Sequence, residues 1–454
     1  MAAISELVHT EGDSNTTAAR GRWDAGQDDP RIRGLLDRDA AAFMHQSLSS
    51  PCLSTIAKAQ GIWIEDTAGR RFMDFHGNSV HHLGYGHPRL VAAIKKQLDE
   101  LCFAPRRFTC EPAVELAEKL ATLAPGDLGK VLFTTGGSDA IEVALKIARA
   151  ATGRFKTVSF WDAFHGAGFG AASVGGEATF RSHISGPMMT GTEHVAPWDG
   201  YRCPYGHDSL EASGLACANM IAYVLGREQD VAAVVAEPMR ATPNPPPPGF
   251  WKRVREACDR HGTLLIFDEI PTGLGKTGKF FAHEHDGVRP DIVVLGKSLG
   301  GGILPIAAVI ARRDLDVTGG FAIGHYTHEK NPVTTRAALT TIDIILEEGL
   351  VERAAELGQH MLGRMHDLMA RSPHVGDVRG RGLMVGVELV EDRATRQPAR
   401  DLAERVFYAC LEQGLSFKIS QGNVLTLSPP LVISKTDLDR ALDSVEAAVL
   451  AASP

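Results

Sequence analysis

Apolar residues recur along this chain in two alternating rhythms. Residues 131–134, 157–160, 231–236 and 264–268 are short, almost continuously apolar runs, while residues 111–123 and 138–151 between them carry apolar side chains at helical spacing. Strands without polar alternation, separated by helices, predict a mostly parallel sheet covered on both faces. Ligands on such a sheet bind beyond the carboxyl ends of its strands. The proline run at 243–248 fixes an extended loop after one of these strands.

The pattern differs at the two ends of the chain. Residues 61–74 alternate apolar and polar positions around Thr67-Ala68-Gly69, which predicts a β-hairpin, and 88–101 has helical spacing. Beyond Asn331-Pro332 the spacing predicts a helix over 334–349, another reaching 371, a strand-like unit over 378–388, a helix over 399–413, a strand over 424–427 and a last helix over 435–451. That succession reads as a smaller α+β domain. The expected organisation is a flexible arm over 1–30, an N-terminal segment over 31–75 that packs with the small domain, a large domain over 76–340 and a small domain over 341–454.

Composition narrows the function. The 454 residues are 44% hydrophobic and 22% charged, with a formal net charge of -8, a balance that gives no support to nucleic-acid or membrane binding. Seven cysteines, scattered and without a Cys-x-x-Cys pair, argue for reduced thiols in the cytoplasm and against a zinc site. The first 27 residues lack the apolar core of a secretory signal, and no run is long enough to span a membrane. Small-molecule chemistry remains.

Two strand ends carry that chemistry. The run Asp291-Ile-Val-Val-Leu-Gly-Lys297 places an amine at the end of an apolar strand, where desolvation lowers its pKa and makes it nucleophilic toward carbonyls. The preceding strand ends in Asp268-Glu269, which brings a carboxylate to the same edge. A lysine for an aldehyde and an aspartate for a pyridine nitrogen are what pyridoxal 5′-phosphate requires. Gly136-Gly137-Ser138, between a strand and a helix, suits a phosphate, although from these residues alone an ordinary turn with Ser138 as helix cap is the stronger reading. Phe164-His165-Gly166 offers an aromatic for a cofactor ring or for the core.

Other motifs fail in context. Gly273-Leu-Gly275-Lys276-Thr277-Gly278 fits the dinucleotide pattern but opens no convincing helix, and the first glycine of a phosphate loop is here Ile270. His283-Glu-His285 has no third ligand nearby, so no metal is expected.

Taken in order, Gly-Gly-Ser, Phe-His-Gly, Glu237-Pro238, Asp268-Glu269, Gly-x-Gly-Lys-Thr-Gly, Lys297, Gly300-Gly301-Gly302 and Thr327 to Asn331-Pro332 resemble the class III aminotransferases, pyridoxal-phosphate enzymes of fold type I. The resemblance implies a large domain with a mostly parallel seven-stranded sheet and a smaller α+β domain. It implies that Lys297 forms the Schiff base and shuttles a proton, and that Asp268 pairs with the pyridine nitrogen. Ile270 would pack behind the ring, Phe164 in front, with His165 beside them. Gly137 and Ser138 would hold the phosphate, joined by Thr327 of a second subunit, so a homodimer with shared active sites is implied. Glu237 would orient groups near the ring.

The chain also departs from the family. Many members that use 2-oxoglutarate carry a Glu after the Glu-Pro motif and an Arg in the C-terminal domain that switch against each other, and here those positions are Thr242 and Thr426. Losing both partners together is coherent, because losing one would strand a buried charge. Pro271 stands where Gln is usual. Asn78, Ser79, His81, Arg106, Arg107 and Arg240 are candidate substrate ligands, suited to a dianion such as a phosphonate. These departures resemble the 1-hydroxy-2-aminoethylphosphonate ammonia-lyases, with the likeness including the segments 43–52, 75–78 and 105–109. Transamination of a small polar or anionic primary amine leads slightly on the family pattern, and β-elimination of ammonia from a hydroxylated aminophosphonate is the alternative.

Overall fold

The structure, a computed structural model, describes residues 17–46, 52–182 and 185–452. Of the expected flexible arm, 1–16 lie outside the described residues, but the remainder is ordered: helix α1 (Ala18–Ala25) is capped by Thr17, and the Trp23 indole donates to the Leu53 carbonyl at 2.8 Å. Helix α2 (Pro30–Ala42) follows, with Pro at its first turn and the Asp29 carboxylate accepting from the Arg31 amide. The expected hairpin forms as β2 (Trp63–Glu65) against β3 (Arg71–Asp74), with β1 (Lys58–Gln60) on the far side of β2.

Then come α3 (Pro88–Glu100), α4 (Glu111–Leu123), β4 (Leu128–Thr134), α5 (Gly137–Thr152), β5 (Lys156–Phe160), α6 (Phe169–Val174), β6 (Thr192–Val195), α7 (Leu210–Glu228), β7 (Val231–Ala236), α8 (Phe250–His261), β8 (Leu264–Asp268), β9 (Ile292–Leu295) and β10 (Ala307–Arg312). The seven strands lie in the order β4-β10-β9-β8-β7-β5-β6. All neighbours pair parallel except β10, which runs antiparallel to both β4 and β9. Adjacent strand residues face opposite layers. Val235, Ile266 and Val294 join Ile141 and Ala144 of α5 on one face, while Val234, Leu265 and Phe267 join Ile221 of α7 and Trp251 of α8 on the other.

The chain finishes with α9 (Pro332–Glu347), α10 (Leu350–Arg371), β11 (Val375–Arg381), β12 (Met384–Leu389), α11 (Arg400–Glu412), β13 (Leu415–Ser416), β14 (Lys418–Ser420), β15 (Val424–Leu427) and α12 (Lys435–Ala452). The expected single strand-like unit at 378–388 is a hairpin, because Gly382 at φ 54° turns the chain between β11 and β12. These strands form an antiparallel sheet in the order β11-β12-β15-β14, and β13 adds in parallel to β3.

Two compact units result: Pro88–Glu352, and Met1–His87 with Arg353–Pro454. The first unit begins and ends later than the sequence suggests. Residues just before His87 are held by N-terminal and C-terminal partners, with Tyr85 bridging Gly61 and the His82 carbonyl accepting from Leu431. At the other end, α9 packs on α3 and α4 and so stays with the large sheet.

Candidate active site

Six of the seven strands of the large sheet run the same way, so their C-terminal ends share one edge. Strand β8 finishes in Asp268, which is 2% exposed, and β9 leads through Gly296 to Lys297. Burying a carboxylate is costly unless it is hydrogen-bonded. The Ile270 amide donates to Asp268 Oδ1 at 3.1 Å, and His165 Nδ1 donates to Oδ2 at 2.8 Å. His165 is itself buried, with Ser159 Oγ of β5 at 3.5 Å from its Nε2. The ring nitrogen nearer the carboxylate therefore carries the proton, and the histidine fixes where the carboxylate points.

The connection from β4 to α5 is the second element. Gly136 caps α5 with no side-chain hydrogen bond, leaving backbone amides at the positive end of a sixteen-residue helix. Ser138 Oγ accepts from the Ala167 amide at 3.1 Å. Two glycines keep this corner open. A Cβ on Gly137 would meet Ile270 Cδ1 at 2.7 Å, and a Cβ on Gly166, at φ 131°, would meet Ser138 Oγ at 2.5 Å. Ile270 also lies against Gly296, so the isoleucine, the helix terminus and the approach to Lys297 form one continuous wall. Lys297 has φ 46°, a left-handed conformation rare outside glycine.

These residues fit pyridoxal phosphate. The bare helix terminus with Ser138 suits a phosphate, the buried and oriented Asp268 suits a ring N–H, and Lys297 suits an aldehyde. Phe164 follows β5 and packs against Phe180 with centroids 4.5 Å apart, so its ring has an aromatic neighbour to hold it. Glu237, buried at the end of β7, accepts from the Ala241 amide at 3.3 Å and shapes the turn that follows. Thr327 is exposed in the single chain.

The candidate substrate ligands are dispersed. Arg106 places its two terminal nitrogens 2.6 and 2.5 Å from the ring nitrogens of His325, and Arg107 is exposed. Arg240 is buried beyond β7. Asn78, Ser79 and His81 belong to the other unit, where Asn78 and Ser79 have φ of 46° and 59° and His81 Nε2 lies 2.9 Å from the Asp74 carbonyl. Thr426 is also in that unit, with its hydroxyl 2.9 Å from Ser420 Oγ. Thr242 is 3% exposed, and its Oγ1 has no hydrogen-bond partner among the described residues.

The rejected motifs have structural roles. The Gly273–Gly278 stretch is a series of turns, with Leu274, Gly275 and Gly278 at positive φ. His283 Nδ1 is bound to Glu269 Oε1 at 2.6 Å, and His285 Nε2 lies 3.0 Å from the Thr277 carbonyl. Two contributors escaped the sequence reading. Ser159 sits inside an apolar strand where only its polarity marked it, and Gly166 was read as part of a motif without its steric function.

Comparison with known proteins gives this geometry a context. The chain is 45% identical over 454 aligned residues to the (R)-1-hydroxy-2-aminoethylphosphonate ammonia-lyase of Vibrio splendidus, covering 97% of this chain and 95% of that protein. It is 39% identical over 410 residues to the leucine/methionine racemase of Thermococcus litoralis, covering 88% and 91%. Among solved structures, an (S)-enantioselective omega-transaminase from Thermomicrobium roseum matches with a TM-score of 0.86 at 30% identity, over 92% of this chain and 98% of that one. The sequence profile described as aminotransferase class-III spans residues 44–449, and on that breadth the chain belongs to the class III aminotransferases, a family of pyridoxal-phosphate-dependent enzymes.

Proposed function

We propose that this enzyme is an ammonia-lyase acting on a small primary amine that carries a neighbouring hydroxyl and a phosphonate. The observation that carries the reading is the paired replacement of the family's Glu and Arg by Thr242 and Thr426. A transaminase must accommodate a second substrate, the keto acid, and the switch serves that exchange, whereas a lyase needs none. The hydrogen bond between Thr426 and Ser420 supports a settled loss, because the threonine has its own partner in place of a carboxylate. The activity named for the Vibrio splendidus relative supports the same reading. Transamination remains the second reading, favoured by the likeness to omega-transaminases.

Bound pyridoxal phosphate supplies an aldehyde to capture the amine and a ring that draws electrons from the adjoining carbon. The chain's own residues do the rest. The Asp268 carboxylate, held by His165 and the Ile270 amide, keeps a ring N–H in place. Gly137 and Ser138 anchor the phosphate, Ile270 and Phe164 confine the ring between them, and Glu237 orients the loop beside it. The Lys297 amine takes the proton from the carbon bearing nitrogen. The abstracted proton leaves with the neighbouring hydroxyl as water, a proton passes from the nitrogen to the carbon that lost the hydroxyl, and water adding at the carbon bearing nitrogen displaces ammonia and leaves an aldehyde. The net change is substrate to aldehyde plus ammonia.

The reading includes a homodimer in which Thr327 reaches the partner's phosphate site. Phe103, Phe108 and Phe321 are exposed at 37%, 67% and 76% in the single chain, apolar surface that an interface would cover. No disulfide joins cysteines among the described residues, which supports a reducing compartment, and no helix among them is long and apolar enough to cross a membrane. The deciding experiment measures ammonia from 1-hydroxy-2-aminoethylphosphonate without any keto acid. Turnover that appears only when pyruvate or 2-oxoglutarate is added would sink the lyase.

A further inference from the structure

Arg240 stands apart from the other arginines near the sheet edge. It is 4% exposed, and among the described residues its guanidinium makes no ion pair. Its one side-chain hydrogen bond runs from Nη2 to the Asp162 carbonyl at 3.3 Å. A guanidinium has five N–H donors and stays charged in any protein environment. A buried cation with so little compensation calls for an anion.

Among the described residues no carboxylate pairs with it, and the Asp199 carboxylate accepts instead from Asn244 Nδ2 of the same turn at 3.4 Å. Cys217 lies near enough for the Arg240 charge to act on its thiol, yet burial pushes that thiol up to about 12, so it stays neutral. Tyr205, beside Cys217, is likewise raised by burial. The turn that holds Arg240 is rigid. Its amide and carbonyl pair with Asn244, and the Asn244 carbonyl accepts from the Trp198 indole at 3.3 Å. The Trp251 indole fixes the preceding Pro238 carbonyl at 2.8 Å. At the tip of the turn is Thr242, whose buried hydroxyl has no partner among the described residues.

We propose that Arg240 and Thr242 form the binding site for the substrate's dianionic head, with the guanidinium supplying charge and paired donors and the hydroxyl a further donor. The turn follows Glu237 directly, and the Asp162 carbonyl that orients Arg240 belongs to the loop carrying Phe164, so the site borders the cofactor residues. The Thr242 change thereby gains a second meaning: it removes a carboxylate that would repel a phosphonate. This inference rests on the aminophosphonate reading for its substrate, while the anion site itself is tested separately.

The test titrates holoenzyme, whose cofactor phosphate site is filled, with methylphosphonate and with acetate by calorimetry. The wild type is expected to bind methylphosphonate and not acetate. Arg240→Met should weaken that binding about tenfold to a hundredfold, Arg240→Lys less, and Thr242→Val by a few-fold. Cofactor absorbance and melting temperature report whether each variant is folded, and Thr242→Val, nearly isosteric, serves if Arg240→Met is not. Absence of methylphosphonate binding in the wild type, or equal binding by wild type and folded variants, overturns the proposal. If methylphosphonate binds through Arg240 but the hydroxylated aminophosphonate yields no ammonia, the anion site stands and the lyase reading falls.

Discussion

Two buried aspartates end strands in the two units, and their surroundings are closely parallel. Asp74 at the end of β3 accepts at Oδ1 from the amides of His76 and Gly77 at 2.9 and 3.0 Å, and at Oδ2 from the Tyr85 hydroxyl at 2.5 Å. Asp268 at the end of β8 accepts at Oδ1 from the Ile270 amide and at Oδ2 from His165. The difference lies in what each partner set organises. The amides on Asp74 open the tight left-handed turn through Gly77, Asn78 and Ser79, so its acceptor capacity goes into shaping backbone. Asp268 has a single backbone donor and a histidine that orients it, which leaves lone pairs for a ligand. On the proposed reading, a shared motif thus serves folding in one unit and chemistry in the other.

The most severe test removes the amine opposite Asp268. Lys297→Ala should lower ammonia release by about 10²–10⁴-fold or more, with the loss read in turnover at saturating substrate. Next, Asp268→Asn should reduce kcat by about 10²–10³-fold while shifting the melting temperature little. Asp74→Asn should do the reverse. It should retain most of kcat and lose about 1.5–3 kcal/mol of stability, the worth of hydrogen bonds to a charged group, measured by denaturant unfolding. If Asp268→Asn unfolds the protein or Asp74→Asn stops turnover, the division of labour is wrong.

Acidity sharpens the same contrast. Burial pushes Asp74 up, but the His81 charge, the Tyr85 hydroxyl and the His76 amide together hold it below the usual carboxylate range. A carboxyl lowered in the folded state contributes stability above its unfolded value of about 3.9, lost as pH falls through the folded value. Asp74→Asn should therefore flatten the acid limb of a melting-temperature profile below about pH 4. The smallest effect belongs to Tyr85→Phe, which deletes one of three donors and should cost about 1 kcal/mol without changing KM.

What the sequence revealed followed from charge placement against apolar background. Asp268 and Lys297 interrupt long apolar runs, so a sheet edge and its chemistry were legible together. Asp74 ends a short hairpin strand in a stretch where apolar and polar residues alternate, so a carboxylate there is unremarkable in the sequence. Nothing in Asn78 or Ser79 announces two consecutive positive φ angles, because that conformation is imposed by the Asp74 hydrogen bonds. Helix α7 escaped notice for another reason: small residues such as Ala212, Ser213, Gly214, Ala216 and Ala218 blur its apolar stripe. The antiparallel insertion of β10 between β4 and β9 depends on pairing across distant segments, which local pattern does not encode. At the site, the cofactor residues come as a set from the resemblance, whereas the isolation of Arg240 and, among the described residues, the unpartnered hydroxyl of Thr242 emerge only from three-dimensional neighbours.

The left-handed backbone at Lys297 bears on how such a sequence changes over generations. A lysine there costs about 1–2 kcal/mol relative to a glycine, which adopts the same angles freely. With the role proposed for Lys297, drift that replaced it by glycine would yield a chain that folds more securely and catalyses nothing. Folding alone would favour that silent copy, so on this proposal the lysine is kept by turnover against the preference of its own backbone.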